Sequence, residues 1–474
     1  MEEDFNPNFF DADSPNELIS RYENMIRNEG TEYFDVEDFE RILEYYMDLN
    51  QMGKAMKAVR YAFKLHPDAV SLQIKKAQIL LKNNNPKRAL GVLDKLQRIE
   101  SQNSELLVTK GHANVLLGNI EDAKEQYDRA IQQVHDKDEL VDLLYNISQT
   151  FQFEDHYKLA TEYLKKAYLL TDDYMFILYD LAYCYEKTGD IDKSIYYYNQ
   201  YLEKDPFSDN VWFTLGRLYE EKANNDKALE AYGYVNALNP KFPEALLAIG
   251  QIYEDNFQYE LAINYFKEYL ELESDSFEVH YFIGSCYNLL DDWDNALDYY
   301  RKSLKIEPYN ADVFHGMASV YYKKAEFEDA LFYSKRSVLI DDKNPKFFVL
   351  NGKIYSKLDM SEEAIESFLQ TTEIKPQLAY YWLLLADELI RDKQYRKGIE
   401  KLNESLEFHD NSPAILVRLA ALYFKEKNKK QALLNLSEAI NLDRNAQNEF
   451  IKICPEAENQ KEFNKMLNNQ TIKK

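Results

Sequence analysis

DNVWFTLGRLYEEKANNDKALEAYGYVNALNPKF, residues 209–242, is the stretch on which the fold turns. Trp212, Leu215 and Tyr219 recur at three- and four-residue intervals, and Leu229, Tyr232 and Val235 do the same after a short polar turn at residues 223–226. Apolar residues at that spacing line one face of a helix, so residues 210–221 and 227–238 read as two amphipathic helices. Pro240 ends the second, because proline lacks the amide donor and its ring clashes with the preceding turn. The stretch is a helical hairpin with an apolar inner seam.

The hairpin repeats. Steps of 34 residues forward from Gly216 meet Gly250, Gly284, Ala318, Gly352, Ala386 and Ala420, and steps back meet Ala182 and Ser148. The same walk from Tyr219 gives Phe151, Tyr185, Tyr253, Tyr287, Tyr321, Tyr355, Leu389 and Tyr423, and from Ala228 mostly alanine. Upstream the beat continues through Gly111, Ala77 and Leu43 after one adjustment of three residues at 135–140. The chain holds about twelve repeats, starting at Val36, Val70, Ser104, Val141, Met175, Asp209, Pro243, Phe277, Ala311, Pro345, Ala379 and Pro413. A fixed period of this length means a solenoid, in which each hairpin buries its apolar face only against its neighbours. The small rung is expected to face the alanine rung where the two helices approach closely, with large rings filling the space around.

The arrangement resembles the tetratricopeptide repeat. Trp212, Leu215, Gly216, Tyr219, Ala228, Tyr232 and Pro240 stand at that family's places, Val235 replaces its alanine, and Leu43, Ser334 and Gly398 depart from it in other copies. The resemblance covers residues 36–444 and implies an all-α fold, a right-handed superhelix of antiparallel helix pairs whose first helices line a concave surface. The expected organisation is an acidic N-terminal segment with a capping helix (1–35), the solenoid (36–446), and a C-terminal cap and tail (447–474). In the N-terminal segment Ser14, Pro15 and Glu17 look like a helix start, presenting Leu18, Tyr22, Met25 and Ile26 to the first repeat. At the other end Phe450, Ile451, Ile453, Phe463, Met466 and Leu467 supply a lid for the last repeat.

Composition narrows the function. The net charge of −25 disfavours nucleic acid, whose binding depends on clustered Lys and Arg. Residues 1–13 form neither a secretory signal nor an anchor, and no long apolar run is present, so a cytoplasmic protein without membrane insertion is expected. Of three cysteines, Cys184 and Cys286 hold the same place in two repeats, as small core residues do, and the third is Cys454. The seven histidines are scattered, and no CxxC, HExxH or glycine-rich phosphate loop occurs. The carboxylates lie at turns and helix starts, as at Asp291, Asp292 and Asp294. An enzyme is therefore not expected, and no cofactor or metal site is called for.

The inner surface is where a ligand is expected. If the family geometry holds, the places one, four, eight and eleven residues after each repeat start point into the groove. Among these, Phe176, Tyr179, Tyr183, Glu186, Phe213, Arg217, Glu220, Gln251, Glu254, Tyr281, Asn288, His315 and Tyr322 are the candidate peptide-binding residues. Rings give contact area with a polar tip, and Glu, Gln and Asn can hold a peptide backbone or its Lys and Arg side chains. Tyr380, Leu383, Ile390, Val417 and Phe424 extend the groove as a more apolar stretch. Some co-chaperone members of the family grip a C-terminal carboxylate with Lys and Asn, but the matching places here hold Tyr179 and Tyr183, Phe213 and Arg217, or Leu247 and Gln251. The leading reading is a scaffold or adaptor that holds a peptide or helix of a partner protein. The alternatives are a regulatory subunit of an enzyme complex and a self-associating homo-oligomer, in which the acidic start of one chain meets the basic residues 51–100 of another.

Overall fold

The computed structural model describes residues 15–28, 30, 32–171, 175–460 and 462–463. Among them the secondary structure is α-helical apart from one short 3-10 turn at Pro455–Asn459. Two compact units are formed, Met1–Ala223 and Asn224–Lys474.

In the first unit the helix Pro15–Arg27 is followed by the pairs Val36–Asp48 with Met52–Leu65, Val70–Lys82 with Pro86–Gln97, Ser104–Leu116 with Ile120–Ile131, Lys137–Phe153 with Tyr157–Leu170, and Met175–Lys187 with Ile191–Lys204, and then by Asp209–Glu221. The second unit opens on Asn225–Leu238. Its pairs are Pro243–Asp255 with Tyr259–Leu272, Phe277–Leu289 with Trp293–Ile306, Ala311–Lys323 with Phe327–Ile340, Pro345–Lys357 with Ser361–Ile374, Ala379–Arg391 with Tyr395–Ser405, and Pro413–Lys425 with Lys429–Leu442; Ala446–Ile453 comes after them. Eleven of the twelve first helices begin on the residue the period marks. The exception starts at Lys137 instead of Val141, so the irregular residues at 135–140 lengthen a helix to 17 residues and add no loop.

Each pair closes through the same turn. One residue between its helices has a left-handed backbone, from Asn50 (φ 54°) through Phe257 (φ 60°) to Lys427 (φ 63°), with glycine at Gly118 and Gly189. The next amide reaches back over the turn: Gln51 N donates to Tyr46 O at 2.8 Å, Gln258 N to Tyr253 O at 2.8 Å and Asn428 N to Tyr423 O at 2.8 Å. This is the Schellman closure, which satisfies a helix-end carbonyl and reverses the chain. The repeated tyrosine rung thus supplies the accepting carbonyl, while its rings stack on the second helix, as Tyr253 does on Tyr265 (5.5 Å) and Tyr321 on Tyr333 (5.3 Å).

The small rung works differently from the expectation. A Cβ on Gly250 would lie 2.5 Å from the ring of Phe266, one on Gly284 2.7 Å from Tyr300 and one on Gly352 2.6 Å from Phe368, and one on Gly111 would overlap the ring of Tyr127. The glycine makes room for the ring sixteen residues on in the second helix; that ring, and not the alanine rung, presses into it. Where the rung is Ala or Ser the partner place is usually leucine, as in Ala77 with Leu93, Ser148 with Leu164 and Ala420 with Leu436. In the first repeat the sizes are exchanged, and Leu43 and Val59 share one fully buried cluster. Ala318 faces the small Ser334, and there the next repeat contributes Asn351, whose Nδ2 donates to Ser334 Oγ (3.0 Å) and whose Oδ1 accepts from Ser367 Oγ (3.0 Å). That buried polar chain fills the space a ring takes elsewhere, with its hydrogen bonds met.

Within each unit the first helices of neighbouring repeats pack on one another, as Val36–Asp48 does on Val70–Lys82 and Phe277–Leu289 on Ala311–Lys323, while second helices do not to a comparable extent. First helices therefore lie on the tighter, inner side of each unit. The N-terminal helix buries Leu18, Ile19, Tyr22 and Met25, whereas Ile26 is half exposed. Ile19 takes the place expected of Ile26 because the buried face runs through residues 18, 19, 22 and 25. Ser14, Met466 and Leu467 lie outside the described residues. Cys184, Cys286 and Cys454 are buried free thiols.

Candidate functional site

The candidate residues divide between the two units. In the first, Phe176 and Tyr179 are 38% and 39% exposed, so each ring is half packed and half offered to solvent. Phe176 meets Tyr145 edge-on at 4.4 Å, Tyr179 packs on Tyr198 and Tyr201 at 5.7 and 6.0 Å, and Tyr183 meets Tyr157 at 6.0 Å with Lys187 over its face. The rings brace adjacent helices and still leave exposed faces. Glu186 is bound by Arg217 at 2.5 Å. Phe213 and Glu220 lie partly buried on Asp209–Glu221.

Asp180 belongs to this surface, although it falls between the places selected from the sequence. Gln149 Nε2 donates to its Oδ2 at 2.5 Å, and burial raises its carboxyl above the ordinary carboxylate range. Its signal is the spacing of 31 residues to Gln149, which recurs along the inner faces. Lys75 bridges Glu44 (2.8 Å) and Glu105 (3.4 Å), Arg217 holds Glu186, and Arg418 joins Asp387 (3.1 Å) and Glu449. A residue on one first helix thus meets one on the neighbouring first helix about one turn away. In each of these pairs one side chain is mostly covered and the other largely open to solvent, so the pair fixes how neighbouring repeats align.

In the second unit Gln251 and Glu254 sit on Pro243–Asp255, Tyr281 and Asn288 on Phe277–Leu289, and His315 and Tyr322 on Ala311–Lys323. Burial, with Asp255 adding to it, pushes the Glu254 carboxyl up to about 7. Tyr281 lies 6.0 Å from Tyr300 and is pushed up to about 12 by burial, then by Asp312 and Glu254. Asn288 is 8% exposed and its Oδ1 has no hydrogen-bond partner. His315 packs on Phe347 at 5.0 Å with Nδ1 unpartnered; burial, then Lys346, lowers it to about 4, so it is neutral near pH 7. Tyr322 meets Phe327 at 5.7 Å.

The apolar extension of the groove needs correction. Val417 is fully buried and Phe424 nearly so, because Phe450 and Phe463 cover them at ring distances of 6.0 and 5.0 Å from Phe424. Ala446–Ile453 packs on Pro413–Lys425 as a further first helix would and turns those groove places into core. Tyr380, by contrast, is half exposed.

Of the basic residues expected to reach a second copy, Lys54 is paired with Glu23 (2.9 Å) and Lys75 with Glu44 and Glu105. Among the described residues no group of His, Cys, Asp and Glu converges as a metal site, and no helix is long and apolar enough to cross a membrane.

Helix pairs of fixed length, each closed by one left-handed residue and stacked first helix on first helix, define an all-α solenoid of the helical-hairpin class. Residues 42–104, 177–208, 197–230, 243–276, 277–310 and 346–378 match the tetratricopeptide repeat family. The chain belongs to that family, whose members generally mediate protein–protein interactions. Similar solved structures include the C-terminal part of a TPR repeat-containing protein from Cytophaga hutchinsonii, 16% identical, covering 52% of this chain and 99% of that one at a TM-score of 0.43. A tetratricopeptide repeat protein from Parabacteroides merdae is 20% identical, with 52% and 97% covered and a TM-score of 0.40. MamA from Desulfovibrio magneticus RS-1 is 17% identical, with 35% and 94% covered and a TM-score of 0.34. No curated protein matches the chain.

Proposed function

We propose that this chain is a non-catalytic, cytoplasmic interaction scaffold that holds a peptide or helical segment of a partner protein against the inner faces of its first helices. The observation that carries this is the pair of half-exposed rings at Phe176 and Tyr179 on a helix whose other large apolar residues, apart from the terminal Met175, are mostly buried. A ring fixed on one side by Tyr145 or Tyr198 loses little freedom when a ligand covers the other, so binding there is cheap in conformational entropy. Spread over several repeats, such modest contacts add up to a surface that recognises extended or helical segments. Carboxylates among the rings favour a basic or mixed apolar ligand over an acidic one.

The test is to cross-link the protein in its own cells, identify the captured peptides, and remeasure binding of the best of them after replacing Tyr179, Phe213 and Tyr281 by alanine. Loss of two or more hot-spot rings is expected to weaken binding by about 2–4 kcal/mol, with the helical circular-dichroism signal unchanged. Undiminished binding by a folded triple variant would rule out these inner faces.

A further inference from the structure

Several inner-face carboxylates are matched, most of them across neighbouring repeats. Glu44 and Glu105 share Lys75, Glu186 has Arg217, Asp387 and Glu449 share Arg418, and Glu388 has Arg391 and Ser356. Glu254 is different. The residue 31 places on is Ser285, and among the described residues Glu254 has neither an ion-pair partner nor a hydrogen-bond donor. It is largely buried all the same.

On the next first helix, one repeat further along the same column, Asn288 leaves Oδ1 unpartnered while 8% exposed. Its amide lies in hydrogen-bonding reach of the Tyr300 hydroxyl, and the same hydroxyl feels the charge of Glu254. Tyr300 arrives there from the second helix because two glycines let it through. A Cβ on Gly284 would lie 2.7 Å from its Cδ1, and one on Gly316 2.5 Å from its Cζ and 2.7 Å from its hydroxyl. Gly316 stands where other repeats carry Asp180, Ala248, Phe282, Leu350 or Arg418, so a glycine at this place is peculiar to this repeat. Tyr281 adds a second ring, 6.0 Å from that of Tyr300.

Two acceptors without donors, beside an aromatic ring, call for a flat cation with several N–H groups. We propose that Glu254 and Asn288 together receive the guanidinium of an arginine side chain from the bound partner peptide. The proposal rests on the interaction reading above and names the ligand chemistry of its second-unit face. An arginine offers five donors in one plane and stacks on tyrosine, whereas a lysine offers a point charge alone. The elevated carboxyl of Glu254 agrees with a charge that is desolvated and uncompensated until the ligand arrives.

The probes are labelled ten-residue peptide mixtures of neutral and apolar residues with a fixed central arginine, and the same mixtures with citrulline in its place, read by fluorescence anisotropy on the full chain. At pH 8 the arginine mixture is expected to bind about tenfold tighter than the neutral isostere, the scale of one buried charge-assisted contact. Glu254→Gln should erase the difference and Asn288→Leu should reduce it. Lowering the pH to 5.5 should shrink the preference as Glu254 takes up a proton.

The groups that face Glu254 are Asp255 on its own helix, Tyr281 and Cys286 on the next first helix, and Tyr300 beyond; Tyr281 is held near 12 and the Cys286 and Tyr300 protons are held higher still by burial. A raised carboxyl means that the folded protein holds a proton the unfolded chain has lost, so stability falls as pH rises from the ordinary carboxylate range through about 7. Glu254→Gln should therefore melt higher than the parent at pH 8 and alike at pH 4, which also shows that the variant folds. Equal binding of arginine and citrulline mixtures overturns the guanidinium site and leaves the interaction face standing. Failure of both mixtures to bind a folded protein counts against the face itself.

Discussion

At the scale of single residues, packing here is a matter of matched pairs sixteen places apart. Gly250 is opposite the fully buried Phe266, and a methyl added to it would lie 2.5 Å from the ring. Gly250→Ala is expected to lower stability by about 1–3 kcal/mol in urea unfolding, the usual cost of overpacking a filled core. Adding Phe266→Leu should recover part of that loss, since Ala with Leu is the combination used at Ala77 with Leu93 and Ala386 with Leu402. A double variant no better than the sum of the singles would refute the pairing. The spacing was visible in the sequence, yet the alanine rung looked the natural partner of the glycine. Side-chain direction decides otherwise: a long residue on the second helix leans over the neighbouring turn and lands on the small rung.

At the scale of the helical hairpin, the turn is set by backbone geometry more than by residue type. Ala325 is exposed and has φ of 61°, a conformation that costs an ordinary residue roughly 1–2 kcal/mol and glycine little. Ala325→Gly should raise stability by about 0.5–1 kcal/mol after allowing for glycine's extra freedom in the unfolded chain, measurable as a higher urea midpoint with unchanged slope. A lower midpoint would show that the turn is not a source of strain. Helix starts were legible because a 34-residue period leaves them little freedom, and Val36, Met175 and Pro413 begin where the beat requires. The left-handed residue was not, because Asn50, Phe257, Ala325 and Lys393 share no chemistry. Nor were the inner-face pairs such as Gln149 with Asp180, which depend on how far one repeat is turned against the next.

At the scale of the whole chain, each repeat leans on its neighbours and the ends need closing. In the second unit Phe450 stacks on Phe463 at 5.8 Å and meets Phe424 edge-on. Phe450→Ala should cost about 3–5 kcal/mol locally, detected as faster amide exchange across Pro413–Lys425 and Lys429–Leu442. Exchange rates left as in the parent would mean that the last repeat closes without this lid. The sequence placed Val417 and Phe424 in the groove because counting from a repeat start ignores the helix beyond the array; that terminal helix continues the inner row and covers them. The family resemblance and its groove places pointed to a binding protein, but which inner-face carboxylates have a counterion could be read only once Arg217, Lys75 and Arg418 had found theirs.

The exchange of sizes at Leu43 and Val59 bears on how such an array can change over time. If the repeats descend from copies of one hairpin, a mutation at either member of a matched pair is a handicap until its counterpart changes too, so drift at this rung must proceed in two linked steps. On the inner faces the linked places are the pairs one repeat apart, such as Glu186 with Arg217, and residues outside such pairs carry no such bond. Such copies are then free to diverge at the unlinked places, as at Glu254, while the architecture that presents them stays locked.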